Sequence, residues 1–403
     1  MFSKNDTQYM ALALQLAEKG LYTTHPNPRV GCVLVKKNQI IGQGWHRSAG
    51  EGHAEINALL DAAGIANFRC MADFSGKDQA DIKNVASGAT AYVTLEPCSH
   101  HGKTPPCSDA LIAAGVTKVI AAMEDPNPLV SGKGLTLLNQ NGIATGCGLL
   151  EAEARALNPG FIKRMVSNRP YIRCKLAMSL DGRTAKASGE SKWITGASAR
   201  ADVQCWRARS DAIIIGVDTI LADNPSMIVR LEDWNGDKPE IWQNNADIKQ
   251  PVRVVLDSKL RLPKDAKMLS LPGVTWVLTC ETKDNPRFKE LQSPGVRVVT
   301  LPADGESLDL VRVLDYLARE EINEVLVETG STLSGAFVKA GLVDETIIFM
   351  APKLMGHQGR PLFNLPGLDR MDQNLQLEIK DLKQVGDDIR IILKNAVDCE
   401  KSS

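Results

Sequence analysis

A chain of 403 residues, 43% hydrophobic and 24% charged, has the length for two or three globular domains and the apolar content for real cores. Its 47 Lys and Arg balance 48 Asp and Glu, with no long run of like charge, so no charge excess recruits nucleic acid or anionic lipid. No stretch approaches the roughly 18 apolar residues of a membrane span, the polar start "MFSKNDTQYM" is no secretory signal, and nine cysteines are expected as reduced thiols of a cytoplasmic protein.

In chain order, "DTQYMALALQLAEKG" predicts a helix that starts at an N-cap, Asp6, sets Met10, Ala13, Leu14 and Ala17 at helical spacing, and stops at Gly20. "RVGCVLVKKNQIIGQGW" predicts a hairpin around Lys37 and Asn38. "HAEINALLDAAG" is a helix ending at Gly64, and residues 68–87 are a polar, irregular surface excursion. "ATAYVTL" and "TKVIAAM" are short buried strands with the helix "CSDALIAAG" between them, an alternation that indicates an α/β sandwich. "EAEARALNPGFIKRM" is a helix and tail leading to Arg169-Pro170, which places one domain over 1–168 and another over 169–403.

The second domain alternates again. Its strands are "YIRCKLAMSL", "DAIIIGV", "VRVVLD", "TWVLTC", "VRVVTL", "EVLVET" and "DETIIFMAP"; its helices are "SARADVQCWRARS", "LVRVLDYLAREE" and "TLSGAFVKAG". Residues 231–250, polar with two tryptophans, are expected as a loop. "HPNP" at His25 and "DPNP" at Asp125 each set an asparagine between prolines, which restrict the backbone and fix one amide.

"LEPCSHHGKTPPC", residues 95–107, concentrates groups that bind metals or attack substrates. A catalytic zinc takes three protein ligands and leaves one position for water. His53, Cys98 and Cys107 supply three, two of them at helix starts where unpaired N–H groups favour thiolates. Glu55, two residues after His53, is the one acid at that helix start, and H-x-E followed by P-C and a second cysteine is the pattern of zinc nucleobase deaminases. There the second cysteine usually follows after two residues, whereas here eight intervene. Two alternatives therefore stand beside it: a closed structural site using His100 or His101, and a coincidental set of core thiols. Adjacent side chains point apart, so neither His100 nor His101 is expected on the metal. In the second half no G-x-G-x-x-G supports a Rossmann site. "ETGSTLSGA" can receive a pyrophosphate at its helix start, although strand–Gly–helix turns also arise for steric reasons.

Nearly the whole chain resembles the bifunctional riboflavin-biosynthesis deaminase/reductase family, through "THPNPRVGCVLV", "HAEINAL", "YVTLEPCSHHGKTPPC", "AAMEDPNPLVSGKG", "KLAMSLDGRTA", "GESKWIT", "GVDTILADNP" and "VETGSTLSGAFVKAGLVDE". Within that family the eight-residue spacing is normal; the departure is the polar stretch 64–87, longer than in bacterial members. The resemblance implies an N-terminal cytidine-deaminase-like αβα sandwich and a C-terminal dihydrofolate-reductase-like domain. It implies one Zn²⁺ on His53, Cys98 and Cys107, with Glu55 as proton shuttle, for deamination of a phosphoribosylaminopyrimidine. Asn27, His46, His100, Lys103, Asp125 and Asn127 match positions lining that pocket. NADPH then reduces the ribosyl group to ribityl. Ala177, Trp193, Thr219, Asp223, Ser258 and the turn Gly330, Ser331, Thr332, Leu333, Ser334, Gly335, Ala336 match cofactor positions. Ser191, Arg207, Met227, Arg230 and Glu328 match substrate positions, and two arginines with a serine suit a phosphate monoester.

Small-molecule substrates, no nucleic acid, no membrane and a homo-oligomer, a dimer ahead of larger states, are the expected partners. A zinc deaminase with an inactive reductase-like domain is the alternative enzyme. A zinc-stabilised nucleotide- or RNA-binding module is the alternative outside enzymes; Glu55 discriminates against it, because a structural site has no use for an acid beside an open position.

Overall fold

The first helix, α1 (Lys4–Glu18), starts at Ser3 rather than at Asp6. Ser3 Oγ accepts the Asp6 N–H, and the Asp6 carboxylate accepts the Ser3 N–H in return, a capping box that puts Asp6 in the first turn, not at its boundary. The structure, a computed structural model, describes residues 2–65, 76–99, 106–128 and 130–395. Its contacts fall into two compact units, Met1–Asn168 and Arg169–Ser403.

The first unit continues through β1 (Gly31–Lys36), β2 (Gln39–Trp45), α2 (Ala54–Ala62), α3 (Gly76–Ala86), β3 (Thr90–Val93), α4 (Cys107–Ala113), β4 (Lys118–Ala121), α5 (Lys133–Gln140), β5 (Ala144–Cys147), α6 (Glu151–Leu157) and α7 (Pro159–Ser167). Five strands form one sheet in the order β2-β1-β3-β4-β5, antiparallel at the first two pairs and parallel at the last two. Lys37 and Asn38 turn the hairpin at φ 52° and 62°, the left-handed pair that matches strand twist. Cys32 and Leu34 face α2, α3 and α4, whereas Val33 and Val35 face α1 and α6. With both faces covered, β1 is apolar up to its last residue, Lys36, and the unit is a three-layer αβα sandwich. The excursion expected over 68–87 is corrected in its second part: α3 buries Ile82 and Ala86 in the core, and residues 66–75 lie outside the described residues. A Cβ on Gly44 would lie 2.3 Å from the Ala58 nitrogen. Only glycine lets α2 rest this directly on β2, which fixes the helix start where His53 and Glu55 sit.

The second unit holds β6 (Tyr171–Ser179), β7 (Arg183–Ala185), α8 (Ala197–Ala208), β8 (Ala212–Gly216), α9 (Val217–Asp223), β9 (Val252–Leu256), β10 (Thr275–Thr279), α10 (Pro286–Leu291), β11 (Val296–Thr300), β12 (Ala303–Asp304), β13 (Ser307–Leu308), α11 (Leu310–Arg319), β14 (Glu324–Val327), α12 (Ser331–Lys339), β15 (Glu345–Ala351), β16 (Arg360–Pro361), β17 (Leu377–Val385) and β18 (Asp388–Asn395). Nine strands share one sheet in the order β11-β10-β9-β8-β14-β6-β15-β18-β17. Its first seven strands are parallel; the terminal hairpin, absent from the sequence expectation, is antiparallel. The segment 231–250 is a loop with two short 3-10 turns, anchored by the buried Trp242.

Candidate active sites

His53 is the N-cap residue of α2 and Cys107 the first residue of α4. Cys98 follows β3 on a loop whose carbonyls are held by Ser108: the Cys98 oxygen accepts the Ser108 N–H at 3.1 Å and its Oγ–H at 3.0 Å. His53 Nδ1 lies 3.2 Å from Cys107 Sγ and 3.7 Å from Cys98 Sγ, and the Cys107 N–H donates to Cys98 Sγ at 3.3 Å. The three ligand atoms lie within 4.8 Å of one another, the one metal-holding cluster of His, Cys, Asp or Glu among the described residues. The Cys107 hydrogen bond, with that of His53, holds the Cys98 thiol down at about 4 against the cost of burial. The same contact and burial push Cys107 far up, since a second thiolate beside the first lacks compensation. Two crowded thiols and an imidazole are a donor set that a borderline divalent cation would neutralise. Glu55, 3% exposed, is raised to about 7 by burial and then by the charge of Cys98.

Around this cluster the "HPNP" loop is locked from both ends. Asn158, between α6 and α7, accepts the Arg29 N–H at 2.8 Å and returns its amide to the Arg29 carbonyl at 2.9 Å. Asn27 Nδ2 is 3.0 Å from His46 Nε2, while His46 Nδ1 is 3.1 Å from the Gly52 carbonyl. These partners select one neutral tautomer, with the proton on Nδ1. Burial agrees, lowering His46 to about 4. The His46 and His53 rings meet edge to face at 5.4 Å. Asp125 and Asn127 share a half-buried turn in which the Asp125 carboxylate accepts the Asn127 N–H at 2.8 Å. His100, His101 and Lys103 lie outside the described residues.

In the second unit the expected residues gather where the parallel strands end, the side on which open α/β sheets bind ligands. Ala177 is near the end of β6, Thr219 and Asp223 are on α9 after β8, Ser258 follows β9, and Glu328 and Gly330 follow β14. Gly330 is the N-cap of α12 and no side chain caps that end, so its first N–H groups are available to an anion. Lys192 Nζ lies 3.3 Å from the Asp223 carboxylate. Trp193 is 66% exposed with Arg200 over its ring, not a core residue. Ser191 is half-buried between β7 and α8.

Arg207 grips Glu328 with two bonds, 2.7 and 3.0 Å, and donates to the Ile228 carbonyl at 3.3 Å. Arg230 donates to Ser226 Oγ at 2.9 Å and pairs with Asp233. Both arginines thus flank the segment that carries the buried Met227. Burial would raise Glu328, but the Arg207 charge and hydrogen bonds, with Lys175, bring it below the usual range. Lys175 is a group that sequence reasoning missed. On β6, it is lowered by burial and supported by Glu328. Its signal was a cation two residues after Arg173 in the largely apolar run "YIRCKLAMSL", easily taken for an outward-facing residue.

Two family models match: the RibD C-terminal domain over residues 170–391, and the cytidine and deoxycytidylate deaminase zinc-binding region over residues 3–123. The riboflavin biosynthesis protein RibD of Escherichia coli strain K12 is 46% identical over 391 residues, covering 97% of this chain and 100% of that protein. The protein of the same name from Haemophilus influenzae is 44% identical, covering 97% of each. Among solved structures, Acinetobacter baumannii RibD matches at 43% identity and a TM-score of 0.84, over 98% of this chain and 99% of that one. A Thermotoga maritima diaminohydroxyphosphoribosylaminopyrimidine deaminase/5-amino-6-(5-phosphoribosylamino)uracil reductase matches at 30% identity and 0.80, over 97% and 99%.

Proposed function

The chain belongs to the RibD family of bifunctional riboflavin-biosynthesis enzymes, and from that premise we propose how its own residues divide the two reactions. It deaminates diaminohydroxyphosphoribosylaminopyrimidine to 5-amino-6-(5-phosphoribosylamino)uracil with zinc, then reduces the ribosyl group of that product to ribityl with NADPH. His53, Cys98 and Cys107 would hold the zinc, which when bound lowers the pKa of a water to about 7. Glu55, buried beside the cluster, is the one carboxyl among the described residues placed to accept a proton from a water there and to pass it to the pyrimidine. Asn27, neutral His46, His100, Lys103, Asp125 and Asn127 orient the pyrimidine. His46 serves as a fixed acceptor for the Asn27 amide, not as an acid.

In the reductase, NADPH supplies the reducing equivalent when bound. The α12 start, Gly330 to Ala336, receives its phosphates; Ala177, Trp193, Thr219, Asp223 and Ser258 line the rest of its cleft. Ser191, Arg207, Met227 and Arg230 bind the phosphorylated substrate, with Glu328 orienting Arg207. The two domains span 1–168 and 169–403. Among the described residues no helix is long and apolar enough to cross a membrane, which fits a cytoplasmic location. A homo-oligomer, a dimer first, is the assembly supported by the exposed apolar face of β17.

The observation that carries this function is the buried Glu55 beside the His53, Cys98 and Cys107 cluster. Glu55→Gln should keep one zinc per chain and lose deamination by roughly 10²–10⁴-fold, the range of acid–base groups, while reduction of supplied aminouracil continues. Cys98→Ser should release the zinc. Equal loss of both activities in Glu55→Gln, with the fold intact, would count against the assignment; absent reduction in the wild type would favour the deaminase-only alternative.

A further inference from the structure

We propose that Glu96 is a positioning residue for deamination: its carboxylate fixes the turn carrying Asp125 and Asn127 against the loop carrying Cys98. The proposal rests on placing Asp125 and Asn127 in the pyrimidine pocket. Glu96 is 5% exposed and lies two residues before Cys98. Its Oε2 accepts the N–H groups of Asp125 at 3.0 Å and Gly132 at 2.9 Å. Its Oε1 accepts those of Gly134 at 2.8 Å and Leu135 at 3.2 Å. Four N–H donors use about the full lone-pair capacity of a carboxylate, which leaves nothing for a metal.

These bonds exceed what starting a helix requires. An N-cap side chain satisfies one or two N–H groups of its own helix; α5 has no such cap, and its N-cap Gly132 sits at φ 74°. The acceptor comes instead from the metal loop, and it reaches back past the helix to Asp125. Asp125 passes the restraint on by accepting the Asn127 N–H. The contact is also tight sterically, since a Cβ on Gly134 would lie 2.0 Å from the Pro97 carbonyl oxygen. That same carbonyl accepts Ser108 Oγ–H at 3.2 Å. The Asp125 turn and the start of α5 are therefore braced on one carboxylate of the Cys98 loop, and α4 is tied to that same loop through Ser108. Burying a charge of this kind is costly unless it is fully hydrogen-bonded, and here it is.

The test is Glu96→Gln in the full chain, whose amide nitrogen would face N–H donors and forfeit at least one side of the clamp. Zinc content should stay at one per chain and reduction of supplied aminouracil should be unchanged. The KM for deamination should rise about tenfold, with kcat within about threefold, because an oriented binding contact is lost and not the proton shuttle. Asn127→Ala should raise the same KM, and the double variant should be no worse than the poorer single one, as expected for residues acting through one contact. If Asn127→Ala leaves KM unchanged, the pocket assignment itself falls and takes this proposal with it. If Asn127→Ala raises KM and Glu96→Gln does not, or if the two effects multiply, the proposal alone is overturned. Should Glu96→Gln fail to fold, Glu96→Asp keeps the charge but is too short to hold both oxygens in place. The same KM rise is then expected, and an unchanged KM overturns the proposal.

Discussion

His46 shows how a single side chain can be set by its neighbours. With Gly52 accepting from one ring nitrogen and Asn27 meeting the other, the imidazole has its partners only while neutral. Burial lowers it from 6.5 to about 4. Between those values the unfolded chain binds the proton and the folded one does not, so stability rises with pH across that window and is lost as pH falls through it. The full contribution is roughly 3 kcal/mol. Urea unfolding of zinc-stripped protein at pH 7 and pH 4.5 should show a smaller pH effect in His46→Asn than in wild type. An equal effect would mean that other groups carry it. At this scale the sequence is informative where chemistry limits the residue type: His, Cys, Cys and Glu have few substitutes at such a site. It is silent about Lys175, because a lysine in a strand is ordinarily solvated, and only the fold shows this one half-buried beside Glu328.

Elements were legible where their period is unbroken. Each parallel strand of the second unit is a short apolar run between turns, and each was expected. The hairpin of β17 and β18 was not, for a specific reason. A bulge between Ile379 and Asp381 inserts one residue, so Leu377, Ile379 and Leu382 share a face although their spacing changes from two to three. Similarly, Asp6 imitates an N-cap, and only its reciprocal bonds with Ser3 show which residue has that role. The pair Arg207–Glu328 links the end of α8 to the end of β14, with side chains 13% and 12% exposed. Arg207→Met should destabilise the reductase unit by about 3–5 kcal/mol, the cost of leaving a buried partner unpaired. It should also raise the KM for the phosphorylated substrate by about tenfold or more. Adding Glu328→Gln should recover much of the stability without recovering KM. Recovery of both would make Arg207 a structural residue only, and a rise confined to the KM for NADPH would move it to the cofactor cleft.

For the molecule as a whole, the balanced charge that argues against nucleic acid also leaves no strong repulsion between copies. The apolar surface is unevenly placed: Leu377, Ile379 and Leu382 are 42%, 60% and 60% exposed on the edge strand β17. Their shared face continues onto Ile391 and Leu393 of β18, their cross-strand neighbours or the next residue in register. A contiguous apolar face at a sheet edge marks an association site in a soluble protein and is otherwise an aggregation hazard. A second copy bringing the same face would bury it by two-fold symmetry. Light scattering of the wild type should therefore give a mass of twice the chain or a multiple of that. Ile379→Asp with Leu382→Asp should shift the population toward monomer, each charge opposing burial of the face by a few kcal/mol. Deamination lies in the other unit and should keep its kcat in the monomer. A wild type that is monomeric at micromolar concentration, or a double variant with the same mass as wild type, would mean that this face is not where copies meet.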